Sequence, residues 1–306
     1  ALNSNTTASN NTAVGYYALE ANTTGTNGVA VGCGALKSNT EGGCNVAVGR
    51  ISLQDNTTGA NNVAIGASAL QSNTTASDNV AIGKSALTAT LTGCRNVAIG
   101  TQALLSNTAD NNVAVGFCAL KTNSSGANNT AVGRFSLLLN QTGATNTAVG
   151  QNSLHSNTTA ADNTAVGAVS LYANTTGANN VAVGKNALCS NTIGVRNVAI
   201  GQGALDANTE GLYNTGVGYS SLGSNTTGDQ NAAFGINSGT SITDGIGNTV
   251  IGSDAGKNIV AGGGNTVLGS LKPDGVYSPP YDVTGSNNNR LVLGSTTVTN
   301  AYVKVD

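Results

Sequence analysis

The chain has 306 residues, a formal net charge of −2, 8% charged residues, 4% aromatic residues, 42 glycines and neither Met nor Trp. This balance gives no reason to expect nucleic acid or an anionic membrane as partner, because either would want a basic patch, and no apolar run reaches the length of a membrane-spanning helix. Abundant Gly and Asn with little charge also suits a disordered chain, but the apolar positions here are strictly phased, which disorder gives no reason to keep.

The phase is carried by a Gly that closes "AVG" or "AIG". It falls at Gly15, Gly32, Gly49, Gly66, Gly83 and Gly100, then at Gly116, Gly133 and onward to Gly269. Consecutive markers stand seventeen positions apart, except that Gly116 follows Gly100 one position early. A period of this length marks a stacked repeat architecture and takes precedence over a globular reading.

Ala1 and Leu2 already occupy the "AL" positions of the unit and Asn5-Thr6-Thr7 the "NTT" positions, so the chain is expected to open inside a repeat of a longer array. From Asn11 the unit reads N-[VT]-A-[VI]-G-x-x-[AS]-L-x-x-N-T-[TE]-[GA]-x-x, with Gly28 the exception at its first position. Two short extended stretches are predicted in each unit, "NVAIG" and one centred on "SALQ", separated by turns at the Gly and at "NTTG". Val, Ile and Thr favour strands, and Gly every few residues opposes a helix. Two strands and two turns in so short a unit make one coil of an all-β parallel β-solenoid, or β-roll, with strands bonding to their copies above and below. Sixteen such coils would rise about 75 Å.

Within the coil, the fourth-position Val or Ile and the ninth-position Leu are expected to form the dry interior. The third-position Ala then points to the opposite face, and first-position Asn stacks its amides in a ladder. The fifth-position Gly supplies a positive φ or room for close backbone approach. "VAV" is apolar on both faces, and burial on both faces is what a continuous apolar strand implies. A thin roll covers one face only, so the small Ala and Gly face is expected to receive another chain.

Regular repeats cover residues 1–230. In 231–269 Gly239 and Gly256 replace the ninth-position Leu, and Ile242 and Ile259 replace the "NTT" Asn; this reads as a transition region where the width or twist of the stack changes. Residues 270–306, with Lys272-Pro273-Asp274-Gly275 and Ser278-Pro279-Pro280, leave the period and read as a C-terminal cap or connector.

Residues able to carry chemistry are sparse. Cys33, Cys44, Cys94, Cys118 and Cys189 sit at different positions of the unit, without CxxC or Cys/His spacing. They read as free thiols, with a Cys33–Cys44 disulfide as the alternative. His155 is the single histidine, so a triad or a His-based metal site has nothing to draw on. Asp78, Asp110, Asp162 and Asp229 lie in or beside turns and read as turn formers. "NTT" at Asn22, Asn56, Asn73, Asn157, Asn174 and Asn225 matches the glycosylation acceptor pattern, which turn chemistry alone also explains. A Thr row through Thr23, Thr40, Thr57 and Thr74 raises ice binding as a rival, set against hydroxyls that can bond the local backbone. No catalytic residue, metal ligand or cofactor is assigned, and the chain reads as a non-enzyme.

The "NVAIGxxAL" unit resembles the head repeats of trimeric autotransporter adhesins. "NTAVGYYALEANTTG" at 11–25 is similar to repeats of bacteriophage tail fibres, over about residues 1–269. "NNNRLVLGSTTVTNAYVKVD" at 287–306 resembles the stretch preceding the self-cleaving intramolecular chaperone of phage tail spikes and fibres. The resemblance implies a left-handed, homotrimeric β-roll in a tail-fibre shaft or head that attaches to a host surface. Such a fibre belongs to a virion or another extracellular structure. Its implied partners are two further copies and a cell-surface glycan or protein receptor, with no nucleic acid and no membrane insertion. A bacterial trimeric adhesin head on the cell surface is the alternative.

Overall fold

A computed structural model describes residues 1–269 and 285–293. They contain seventeen strands of three residues each and no helix: β1 Thr12–Val14, β2 Val29–Val31, β3 Val46–Val48, β4 Val63–Ile65, β5 Val80–Ile82, β6 Val97–Ile99, β7 Val113–Val115, β8 Thr130–Val132, β9 Thr147–Val149, β10 Thr164–Val166, β11 Val181–Val183, β12 Val198–Ile200, β13 Thr215–Val217, β14 Ala232–Phe234, β15 Thr249–Ile251, β16 Thr266–Leu268 and β17 Leu291–Leu293. The chain divides into two compact units, Ala1–Ala161 and Asp162–Asp306. β1 to β9 stack in the first and β10 to β17 in the second. Inside each unit consecutive strands pair parallel, one repeat apart as far as β16: Val63 lies opposite Val80 and Ile65 opposite Ile82, and Val181 opposite Val198. The fold is a β-solenoid, as the period predicts.

The two faces of the strand are the reverse of the sequence expectation. Ala30, Ala47, Ala64 and Ala81, at the third position, are fully buried, whereas Ile65 and Ile99, at the fourth, are exposed. The alternation of the strand explains this. First-position Asn62 is buried, so the third residue points inward with it and the second and fourth point outward. A coil this short encloses little space, and ninth-position Leu53, Leu70 and Leu87, all fully buried, reach across it. Only a residue as small as Ala or Gly can face them. Each buried Leu is worth about 1.5–3 kcal/mol.

The second extended stretch is also absent. Around "SL" in 51–54 the backbone alternates hands: Ile51 has φ 52° and Leu53 φ 49°. The same signs recur at Ser68 and Leu70 and at Ser85 and Leu87. A left-handed Leu costs roughly 1–2 kcal/mol, offset by its burial and by bonds to the next coil, such as Leu53 N–H to the Ala69 carbonyl at 2.9 Å. The fifth-position Gly meets both of its expected demands. Gly66 has φ +133°, and a Cβ on it would lie 2.6 Å from the Gly83 carbonyl oxygen.

Two buried asparagine columns hold the coils in register. At the first position Asn45 Oδ1 accepts from the N–H of Asn62 at 2.9 Å, and Asn62 Nδ2 donates to the Ala76 carbonyl at 2.9 Å. At the twelfth position the bonding is tighter. Asn56 Nδ2 donates to Asn39 Oδ1 at 2.7 Å and to the Gly59 carbonyl at 2.9 Å, while its own Oδ1 accepts from Asn73 Nδ2 at 2.7 Å.

In the 231–269 region the pairing register is kept and the interior is exchanged. Val250 and Val267 replace the inward Ala, and Ile242 and Ile259 turn into the core. A Cβ on Gly239 would lie 3.0 Å from Ile242 Cδ1 and 3.1 Å from Val250 Cγ2, so the room left by Leu is already filled. Beyond it, β17 lies within the segment that the period places outside the repeat, yet it pairs with β16, Thr266 opposite Leu291. The step between those two strands exceeds one coil by eight positions. The Lys272–Gly275 and Ser278–Pro280 stretches lie outside the described residues.

Candidate functional surface

The folded coil leaves one face with a consistent chemistry, the outward side of the strands. Its two columns are the second and fourth positions. Across all seventeen strands these are Val, Ile, Thr, Leu, Ala or Phe and never a charged residue. In the first unit the columns pass through Val46 and Val48, Val63 and Ile65, and Val80 and Ile82. Those side chains are half-buried by their neighbours above and below or exposed, with Ile65 at 39%. In the second unit the same face carries Val198 and Ile200, Ala232 and Phe234, and Thr249 and Ile251. Charges begin immediately outside it, at Arg50, Lys84 and Arg134, all exposed in the position after the Gly. At the roughly 4.8 Å strand spacing, nine strands make a stripe about 40 Å tall. The stripe is uncharged throughout, with Thr among the Val and Ile of its second-position column.

The other candidate residues do not converge. All five cysteines are free; Cys33 and Cys44 are exposed, Cys94 and Cys189 half-buried, Cys118 buried. Burial, and secondarily the Asp206 carboxylate, pushes the Cys189 thiol up, and burial does the same for Cys118. Burial lowers the pKa of His155, whose Nδ1 lies 3.3 Å from Ser156 Oγ. Asp78 Oδ1 accepts from Asn61 Nδ2 at 3.1 Å, Asp110 Oδ1 from the Cys94 N–H at 2.8 Å and Asp229 Oδ1 from the Leu212 N–H at 2.7 Å. These three are bonded from coil to coil at the corners. Among the described residues no group of three or more His, Cys, Asp or Glu could hold a metal ion. A cleft of about 320 Å³ is lined by Ala1, Asn3, Tyr16, Tyr17 and Glu20.

The acceptor asparagines Asn22, Asn56, Asn73, Asn157, Asn174 and Asn225 are fully buried. Their amides face the interior, where a glycan has no room. Nor do the threonines of the neighbouring column keep free hydroxyls. Thr23, Thr40, Thr57 and Thr74 each donate to the backbone carbonyl one coil on, at 3.0–3.2 Å, so the hydroxyls that would order water are spent on the stack. The twelfth-position ladder is a structural element that the sequence reading did not anticipate. Its signal was the recurrence of Asn there in coil after coil.

No protein-family model matches the chain, and no curated protein matches it. Among the described residues no helix is long and apolar enough to cross a membrane.

Proposed function

We propose that the chain is a structural fibre protein that assembles side by side with copies of itself through the outward strand face. The assembly is a homotrimer of left-handed β-rolls, in the shaft or head of a phage tail fibre that attaches to a host surface. A bacterial trimeric adhesin head is the alternative reading. The observation that carries this reading is the uncharged outward stripe. Every residue on it tolerates burial, and its β-branched side chains form a rigid, regular surface that a second stripe can meet. The partner-facing columns are therefore the Val and Ile ones, not the Ala and Gly face expected from sequence. The function is mechanical, carrying or presenting a receptor-binding surface for a glycan or protein on the target cell.

The test is native mass spectrometry of the intact chain and of an Ile65→Lys, Ile82→Lys double variant. A mass three times the 30.0 kDa chain is expected for the parent. The variant, with both lysines on the outward face, should lose that mass while keeping its β-sheet circular dichroism. A parent that stays monomeric at micromolar concentration overturns the reading.

A further inference from the structure

The coils of the first unit are not equally bound to one another. At a regular corner, one carbonyl gathers the next coil. The Thr74 carbonyl accepts from the N–H groups of Thr57, Thr58 and Gly59 at 2.9, 3.3 and 3.4 Å, and from Thr57 Oγ1 at 3.0 Å. The asparagine ladder runs beside it. One repeat further, both devices weaken. The Leu91 carbonyl receives the Thr74 and Thr75 N–H groups at only 3.5 and 3.4 Å and none from Ala76, while Thr74 Oγ1 keeps its bond to it at 3.1 Å. Thr90 stands where the ladder needs Asn, so Asn73 Oδ1 is buried without a partner. Between this coil and the next, the N–H groups of Leu91, Thr92 and Gly93 make no backbone hydrogen bond. The next coil is the shortened one, and the residue it lacks belongs to this corner.

Other contacts take over. Thr90 Oγ1 donates to the Asn107 carbonyl at 2.9 Å, the Cys94 N–H to Asp110 Oδ1 at 2.8 Å, and Arg95 Nε to Asn111 Oδ1 at 2.8 Å. Arg95 Nη2 and Asp110 Oδ2 form an ion pair at 3.0 Å. One carboxylate thus bridges the backbone and the side chain of the coil below. The strand side of the same two coils is unimpaired: Val80 N–H reaches the Asn96 carbonyl at 2.8 Å and Gly100 N–H the Ile82 carbonyl at 2.7 Å.

We infer that this corner is a hinge. The stack opens at residues 88–95 against 105–111 and bends about the intact strand ladder, and Asp110 is the latch that holds it shut. Local opening follows the regions with the fewest backbone bonds and the least burial, and Leu91, 49% exposed, sits at the mouth. This inference concerns the coil stack alone and holds for a single chain or an assembly.

The test is residue-resolved hydrogen exchange on the full chain, read at amides that are bonded across the corner. Ala89, bonded to the Leu105 carbonyl at 3.0 Å, and Asn111, bonded to the Cys94 carbonyl at 3.1 Å, should exchange about tenfold or more faster than Asp55 and Asp78, their counterparts at the regular corner. Asp110→Ala should accelerate Ala89 and Asn111 by about a further tenfold while leaving Val80 and Gly100 unchanged. Equal rates at the two corners in the parent overturn the hinge. Equal acceleration of corner and strand amides in Asp110→Ala would show general loosening and overturn the latch.

Discussion

Replacing Asn56 with Leu tests whether the buried amides or the apolar packing hold the coils together. The side chains are of similar length, so the volume stays filled and the cavity contribution is small. What changes is polar. Asn39 Oδ1 loses its 2.7 Å donor and, fully buried, gains no other. Asn73 Nδ2 loses its 2.7 Å acceptor but keeps the Ala76 carbonyl at 3.1 Å. The Gly59 carbonyl keeps Asn45 Nδ2 at 2.8 Å. One buried acceptor left without a partner costs about 1–3 kcal/mol, and each of the other two weakened groups about 0.5–1.5 kcal/mol. Greater apolar burial by Leu returns about 1–2 kcal/mol. The expected net loss is about 1–4 kcal/mol. Because repeat stacks unfold in parts, it should be read by hydrogen exchange at Thr40, Thr57 and Val63 alongside denaturant melts. An exposed control, Thr58→Leu, should cost less than about 0.5 kcal/mol. If Asn56→Leu equals the parent in both assays, the ladder contributes register only, and its energetic role is refuted.

Ala64→Leu places a large side chain in the filled interior and should destabilise the monomeric stack by about 1–3 kcal/mol or more, whereas Ile65→Ala, on the outward face, should leave the stack intact and weaken self-association; the reverse ranking in denaturation would undo the face assignment. Cys189, its thiol pushed up by burial and then by Asp206, should alkylate with iodoacetamide at pH 8 more slowly than exposed Cys33, and peptide mapping over time distinguishes them. His155 has its folded-state pKa lowered by burial, so on acidification the unfolded chain takes up the proton first. Stability from this residue is full above an unfolded pKa of about 6.5 and declines below it until the folded ring is also protonated. His155→Gln, the residue that Gln54 and Gln71 supply at this position in other coils, should flatten that part of a denaturation-against-pH curve.

The period, the strand at each "VAIG", the corner turns and the solenoid class were legible because each rests on a local pattern repeated in nearly every coil. The orientation of the strand was not, because hydrophobicity alone ranks Ile65 above Ala64 as a core residue. What decides it is the space left by Leu70, a constraint set by coil circumference rather than by any residue in the strand. The missing second strand has a similar cause. Leu rarely adopts positive φ, so nothing in "SALQ" announces that Leu70 has φ 51°. Asn73 reads as a turn former from its neighbours Thr74 and Thr75, and its burial becomes visible only once coils are stacked. The return of β17 to the register was hidden by the extra length of the step before it. As for the surface, its uncharged columns could be read from sequence, but their outward direction could not.

Within each unit a coil bonds only to the coil before and the coil after it. The sequence distance bridged by these bonds therefore remains close to one repeat however many coils are added. In ordinary sheet proteins, longer chains bring more distant pairings, which slow folding and leave strands exposed while they wait for partners. Here each new coil can form on the edge of the last with the same loop-closure cost. A gene that duplicates one repeat lengthens the product without asking for a new folding solution, and a defective coil burdens its two neighbours rather than the chain.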